Sequence, residues 1–125
     1  MVDRRAKTAT ETMTIRIRMG RKKWITTTNA YCPPKNSTDH TIQLDLNSIL
    51  ASPSSIICDD INAHSPVWDA IQPGDARGDD VVKWACHKSL DILNDGSATR
   101  VNKTTGVGSL PDVTLCGKVW KNKCV

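Results

Sequence analysis

The segment Ile56-Ile57-Cys58-Asp59-Asp60-Ile61-Asn62-Ala63-His64 holds the chain's densest chemistry. An apolar run leads directly into carboxylates, an amide and an imidazole. The end of a strand is a rigid mount, which catalytic geometry requires. Asp60 and Asn62 are two residues apart, so both side chains leave the same side of an extended backbone. At that spacing Asp60 can take a proton from a water while Asn62 holds the water or a phosphate oxygen. The same residues also suit a polar turn closing a buried strand, and spacing alone leaves both readings open.

The elements around this segment follow from periodicity. Met13, Ile15, Ile17 and Met19 alternate with Thr14, Arg16 and Arg18, the pattern of a half-buried strand. Gly20-Arg21 reads as a turn, and residues 24–31 as a second strand that closes an antiparallel hairpin. Pro33-Pro34 ends it, since proline cannot continue a ladder. Ser37 or Thr38 caps a predicted short helix with Ile42, Leu46, Ile49 and Leu50 at helical spacing. Residues 55–58 read as a buried strand and 59–78 as a long loop, a length that usually signals function. A helix is predicted over 79–88, with Val81, Val82, Trp84 and Ala85 inward. Residues 90–93, 98–102 and 112–116 read as strands, with a turn at Asn94-Asp95-Gly96 and a loop over 103–111. Short strands interleaved with helices predict an α/β architecture.

Charge is distributed unevenly. Residues 1–35 carry nine Lys/Arg against Asp3 and Glu11, residues 36–95 carry three basic and ten acidic groups, and residues 96–125 carry five basic groups against Asp112. Basic ends flanking an acidic middle suit a protein that neutralises phosphates at its edges and activates water, or holds a metal, at its centre. A mixed solvated surface produces the same map. The five cysteines are widely spaced, odd in number and form no Cys-x-x-Cys. They read as reduced, mostly buried thiols of an intracellular protein. No stretch is long and apolar enough to span a membrane. Four Trp, one Tyr and no Phe leave most of the core to aliphatic side chains.

Several short motifs follow one another along the chain. Asn29-Ala30-Tyr31-Cys32-Pro33-Pro34 precedes Asp59-Asp60-Ile61-Asn62-Ala63-His64, and His64-Ser65-Pro66-Val67-Trp68-Asp69 extends it. Ala76-Arg77-Gly78, Leu93-Asn94-Asp95-Gly96-Ser97-Ala98-Thr99-Arg100 and Pro111-Asp112-Val113-Thr114-Leu115 follow. In order and spacing the chain resembles the endonuclease/exonuclease/phosphatase superfamily, and within it the apurinic-like endonuclease domains of non-LTR retrotransposons. The resemblance runs from about Met13 to Leu115. It implies part of a four-layered α/β sandwich of the DNase I-like type, two β-sheets packed face to face with helices outside. Residues 1–11 would be a basic polar segment and 12–125 the central to C-terminal part of the domain.

The resemblance also implies roles. Tyr31 would contact the scissile phosphate, Asp60 would orient or deprotonate the attacking water, and Asn62 would hold that water and a phosphate oxygen. Asp112 would orient a catalytic histidine, as the carboxylate of a triad does. Thr99 would probe the DNA groove, with Arg100 and Lys103 on phosphates. His64 would be structural or DNA-proximal, and Trp68 and Trp84 core. The implied cofactor is Mg²⁺, and the implied reaction is a DNA nick that primes reverse transcription. The implied partners are target DNA and a reverse transcriptase domain, and the implied location is nuclear. Two departures stand out. Glu11 has no context matching the family's metal-holding Glu, and none of the three His lies in a Ser-Asp-His motif, which would follow the Asp112 strand beyond Val125. The expectation is therefore a fragment that is inactive alone; the alternative is a catalytically dead remnant with at most non-specific nucleic-acid binding. Asp59 stands where the family motif has Gly, and a carboxylate beside Asp60 is expected to raise the Asp60 pKa and attract a cation.

Overall fold

The computed structural model describes residues 10–34 and 44–121. Two nine-residue strands, β1 (Glu11–Met19) and β2 (Lys23–Tyr31), form the expected hairpin, in register from Glu11 opposite Tyr31 to Met19 opposite Lys23. Gly20 turns the chain at a φ of 70°, a conformation that a Cβ disfavours. The strand β3 (Ser55–Asp60) runs parallel to β2. The helix α1 (Ala76–His87) leads into β4 (Leu90–Ile92). A small ribbon follows, β5 (Arg100–Val101) against β6 (Gly108–Ser109), then β7 (Asp112–Gly117). The main sheet has the order β1-β2-β3-β7-β4, with β7 antiparallel to both of its neighbours.

Side-chain alternation gives this sheet two unlike faces. Ala30, Ile57, Val113, Leu115 and Leu90 lie on one face and are buried in one cluster with Val81, Trp84 and Ala85 of α1. Trp68 and Ile61, from the loop after β3, fill the same core. Each large aliphatic or aromatic side chain buried this way contributes about 2–3 kcal/mol. The other face carries Met13, Ile15, Ile17 and Met19 on β1. These are 46% to 68% exposed, so β1 is a strand as predicted but not a half-buried one. The reason is geometric: α1 packs on the opposite face, and β1 is the outermost strand.

Other elements differ from the pattern-based reading in extent. The predicted helix around Leu46 and Ile49 is a single 3₁₀ turn, Leu46–Ser48; Ser37, Thr38 and Ile42 lie outside the described residues. The strand expected over 98–102 shrinks to Arg100–Val101, because its partner is Gly108–Ser109, within the predicted loop. Of the described cysteines, Cys32 and Cys116 are buried, but Cys58 and Cys86 are exposed.

The helix begins three residues earlier than its apolar periodicity suggests, because Asp75 caps it. The Asp75 carboxylate accepts from the Gly78 N–H at 2.7 Å and the His64 N–H at 3.2 Å, while Asp75 N–H donates to the His64 carbonyl at 2.9 Å. Two residues on, Arg77 is buried, and its Nη1 donates to the carbonyls of Pro33 (2.9 Å) and Ile61 (2.8 Å). The first turn of α1 thereby ties together the exits of β2 and β3. A Cβ at Gly78 would overlap the His64 carbonyl oxygen and carbon. Gly78→Ala is therefore expected to destabilise the fold by about 3 kcal/mol, at the upper end for overpacking. A urea titration followed by circular dichroism checks it; an unchanged midpoint would show that the helix is not seated this closely.

Candidate active site

Three of the residues singled out from sequence meet at one end of the sheet. Asp60 ends β3 and Asp112 begins β7, and the two are direct cross-strand partners. Tyr31, the last residue of β2, pairs with Asp60 on the other side. Cross-strand partners share a face, so Tyr31, Asp60 and Asp112 all project from the face opposite α1. They line an open cavity of about 270 Å³ with Asn29, Cys58 and Thr114. Asp60 has a raised pKa. Desolvation contributes most and the Asp112 carboxylate adds to it; the Asn62 backbone N–H and the Arg100 charge offset part of the rise.

Asn62 stands slightly apart. Its φ of 48° turns the chain sharply after Ile61, a left-handed conformation that Asn tolerates better than most residues. Its Nδ2 donates to the Cys32 carbonyl at 2.9 Å. The side chain lines a neighbouring open cavity of about 760 Å³ shared with His64, Gln72, Arg100 and Lys103. Six of the seven candidates thus fall into two adjoining groups. Tyr31, Asp60 and Asp112 form the acidic cavity, and Asn62, Arg100 and Lys103 the basic one. Thr99 is exposed at the ribbon, its N–H bonded to the Ser109 carbonyl at 3.1 Å. The Asn62 N–H and the Arg100 charge, both felt by Asp60, join the two groups.

The residues that hold this arrangement were not among the sequence candidates. Asn94 was read as part of a turn, yet it clamps β7. Its Nδ2 donates to the Asp112 carbonyl and its Oδ1 accepts from the Thr114 N–H, both at 2.8 Å. Asp69 is fully buried. Its Oδ1 accepts from Ile71 (3.0 Å) and Gln72 (3.3 Å), and its Oδ2 from Leu110 (3.2 Å), so it fastens the loop after β3 to the chain entering β7. Burial pushes the Asp69 pKa up, but those three N–H donors and His64, whose Nδ1 lies 3.9 Å away, outweigh it and hold the carboxyl low. Both residues sit inside the quoted motifs, and a carboxylate or amide following an apolar or aromatic residue there was the available signal. Trp68 and Trp84 are core, as expected.

Asp59 behaves differently from its sequence reading. It lies on the α1 face between Ala30 and Val113, away from Asp60, because successive strand residues point to opposite faces. The carboxylate that raises the Asp60 pKa is Asp112, not Asp59. Asp59 is 4% exposed, and neither of its oxygens has a hydrogen-bond partner. Burial pushes its pKa from 3.8 to about 7. Between those values the folded chain keeps a proton that the unfolded chain has lost, so stability falls as pH rises through this window. The full effect is about 4 kcal/mol. Stability measured by urea titration should drop from pH 4 to pH 7 and then level, and Asp59→Ala should flatten that drop. A drop of the same size in Asp59→Ala would assign it to another group.

Comparison with known proteins identifies the family and the fold. A family model described as endonuclease-reverse transcriptase matches residues 25–125, a span that includes Tyr31, Asp60, Asn62, Asp112 and the ribbon. The solved endonuclease domain of TRAS1, a telomere-specific non-LTR retrotransposon, is similar in structure, with a TM-score of 0.66 and 26% sequence identity. The match covers 89% of this chain and 52% of that one, so this chain spans about half the length of the solved relative. No curated protein matches the sequence. The mixed α/β sheet is accordingly part of a DNase I-like fold, and the chain belongs to the endonuclease-reverse transcriptase family.

Proposed function

We propose that this chain is part of a metal-dependent endonuclease domain that hydrolyses DNA phosphodiesters at the Asp60 and Asp112 cavity, as the nick that primes reverse transcription in a non-LTR retrotransposon. The observation that carries this reading is the carboxylate pair facing across β3 and β7 at open strand ends. Tyr31 flanks the pair, and the basic cavity of Arg100 and Lys103 adjoins it. Target DNA in the nucleus and a reverse transcriptase domain are the partners this implies.

Each residue has a task in that reaction. Asp60, its pKa raised, is the stronger base of an ordinary carboxylate set and would take the proton of the attacking water. Tyr31 would donate its hydroxyl to the phosphate. Asn62 has one N–H of its Nδ2 committed to Cys32, so its Oδ1 and its second N–H are left to orient the water. Arg100 and Lys103 would hold flanking phosphates, and Thr99 would stand at the groove. Asp112 would keep a histidine imidazole oriented; among the described residues, none lines the acidic cavity.

The residues present suit a hard divalent cation. Asp60 Oδ1 is buried without a hydrogen-bond partner, and Mg²⁺ takes one or two carboxylates, completing its shell with water and substrate phosphate. Asp60 would hold it through that Oδ1, leaving Asp112 to the imidazole, and bound there it would stabilise charge on the phosphate. No cluster of three ligating side chains exists among the described residues.

The test has two readouts. With Mg²⁺, the purified chain should nick supercoiled plasmid at least ~10³-fold more slowly than a family enzyme with its catalytic histidine, and Asp60→Ala should abolish what remains. Mn²⁺ added to the chain should broaden the amide resonances of Asp60 and Asp112 first. Nicking indifferent to Asp60→Ala, or broadening centred elsewhere, would overturn the assignment.

A further inference from the structure

The β1–β2 hairpin carries a second charged feature that the catalytic reading does not use. Trp24, 44% exposed, lies directly across from Arg18. The guanidinium carbon of Arg16 sits 4.8 Å from the indole centroid and that of Arg18 6.0 Å. Arg18 is fixed further: its Nε donates to the Gly20 carbonyl and its Nη2 to the Arg21 carbonyl, both at 3.1 Å. Arg21, Lys22 and Lys23 are exposed beside it. Within residues 10–34 the one acidic residue is Glu11, at the other end of β1. Among the described residues, none of these five cations forms an ion pair.

Basic residues on an edge strand commonly serve only to discourage edge-to-edge pairing. That role needs neither an exposed indole nor two guanidinium groups ordered upon it. We propose that the hairpin tip is a binding platform for single-stranded nucleic acid, with Trp24 and the stacked Arg16 and Arg18 receiving unpaired bases and Arg21, Lys22 and Lys23 receiving phosphates. Aromatic rings and guanidinium planes take bases of any identity, but only bases already out of a duplex stack. A single strand therefore fits, whereas a duplex offers phosphates alone. The platform is separate from the carboxylate cavity. Lys23 and Tyr31 are the two ends of β2, roughly 26 Å apart at strand rise, and Trp24 lies on the opposite face from Tyr31. It therefore stands whether or not the catalytic assignment does. RNA and DNA single strands share the chemistry, and the test separates them.

The experiment is fluorescence anisotropy of labelled dT12, rU12 and a blunt 12-base-pair duplex, titrated with the full chain at several salt concentrations. Both single strands should bind more tightly than the duplex. The affinity should fall with salt on a log–log slope of about −2, as three neutralised phosphates require. Trp24→Ala should weaken single-strand binding about 10- to 100-fold, and Trp24→Phe should restore most of it. Replacing Arg21, Lys22 and Lys23 together by Ala, all exposed at the hairpin tip, should flatten the salt slope. Tighter binding of rU12 than dT12 would assign the platform to RNA, and the reverse to DNA. Trp24→Ala binding like the parent chain with unaltered circular dichroism, or a preference for the duplex, would overturn the proposal.

Discussion

The buried guanidinium of Arg77 is the constraint on which the rest of the site depends. One nitrogen donates to two carbonyls, Pro33 after β2 and Ile61 after β3. Hydrogen bonds from a charged donor are worth more than neutral ones, and removing such a group strands both carbonyls in a buried setting. Asp75 and Gly78 complete the joint by locking the start of α1 onto the His64 backbone. Tyr31 and Asp60 end the two strands so joined, so their spacing is inherited from the helix seat. Asn94 performs the matching task for Asp112 from the other side. The groups proposed to do chemistry are held from behind by groups outside the cavity.

Much of this was legible in the sequence where a motif and a strand pattern coincide. Asp60 and Asp112 each follow or open an apolar alternating run, so their placement at strand ends could be read directly. Their cross-strand register could not, because pairing is set by tertiary contacts far apart in sequence. Asp59 shows the limit of reading neighbours along the chain. Adjacent in sequence to Asp60, it faces the core, and the partner that shifts Asp60 is Asp112, over fifty residues away. The exposed face of β1 fails for a related reason: alternation announces an apolar face but not whether anything packs on it. The helix start was missed because its capping residue carries no periodicity, and the Gly108–Ser109 strand because two residues carry no pattern at all.

The two faces of the sheet are finished to different degrees. The α1 face is a packed core with an unpartnered carboxylate, Asp59, set into it at a cost. The other face leaves Met13, Ile15, Ile17 and Met19 exposed in a row, larger than the scattered apolar residues a surface normally carries. The chain spans about half of the solved domain it resembles. The same face bears Tyr31, Asp60 and Asp112, so the apolar row and the acidic cavity share one surface, and whatever touches one stands beside the other.

Asp60 and Asp112 face each other across two strands, and the Asp112 carboxylate helps raise the Asp60 pKa. Carbon-13 NMR of the side-chain carboxyls, followed through a pH titration, measures this directly. Asp60 should titrate above the ordinary aspartate range, and Asp112→Asn should bring its midpoint down by removing the facing charge, with desolvation leaving part of the rise. An Asp60 midpoint in the ordinary range, or one that Asp112→Asn leaves unmoved, would contradict the pairing and with it the site.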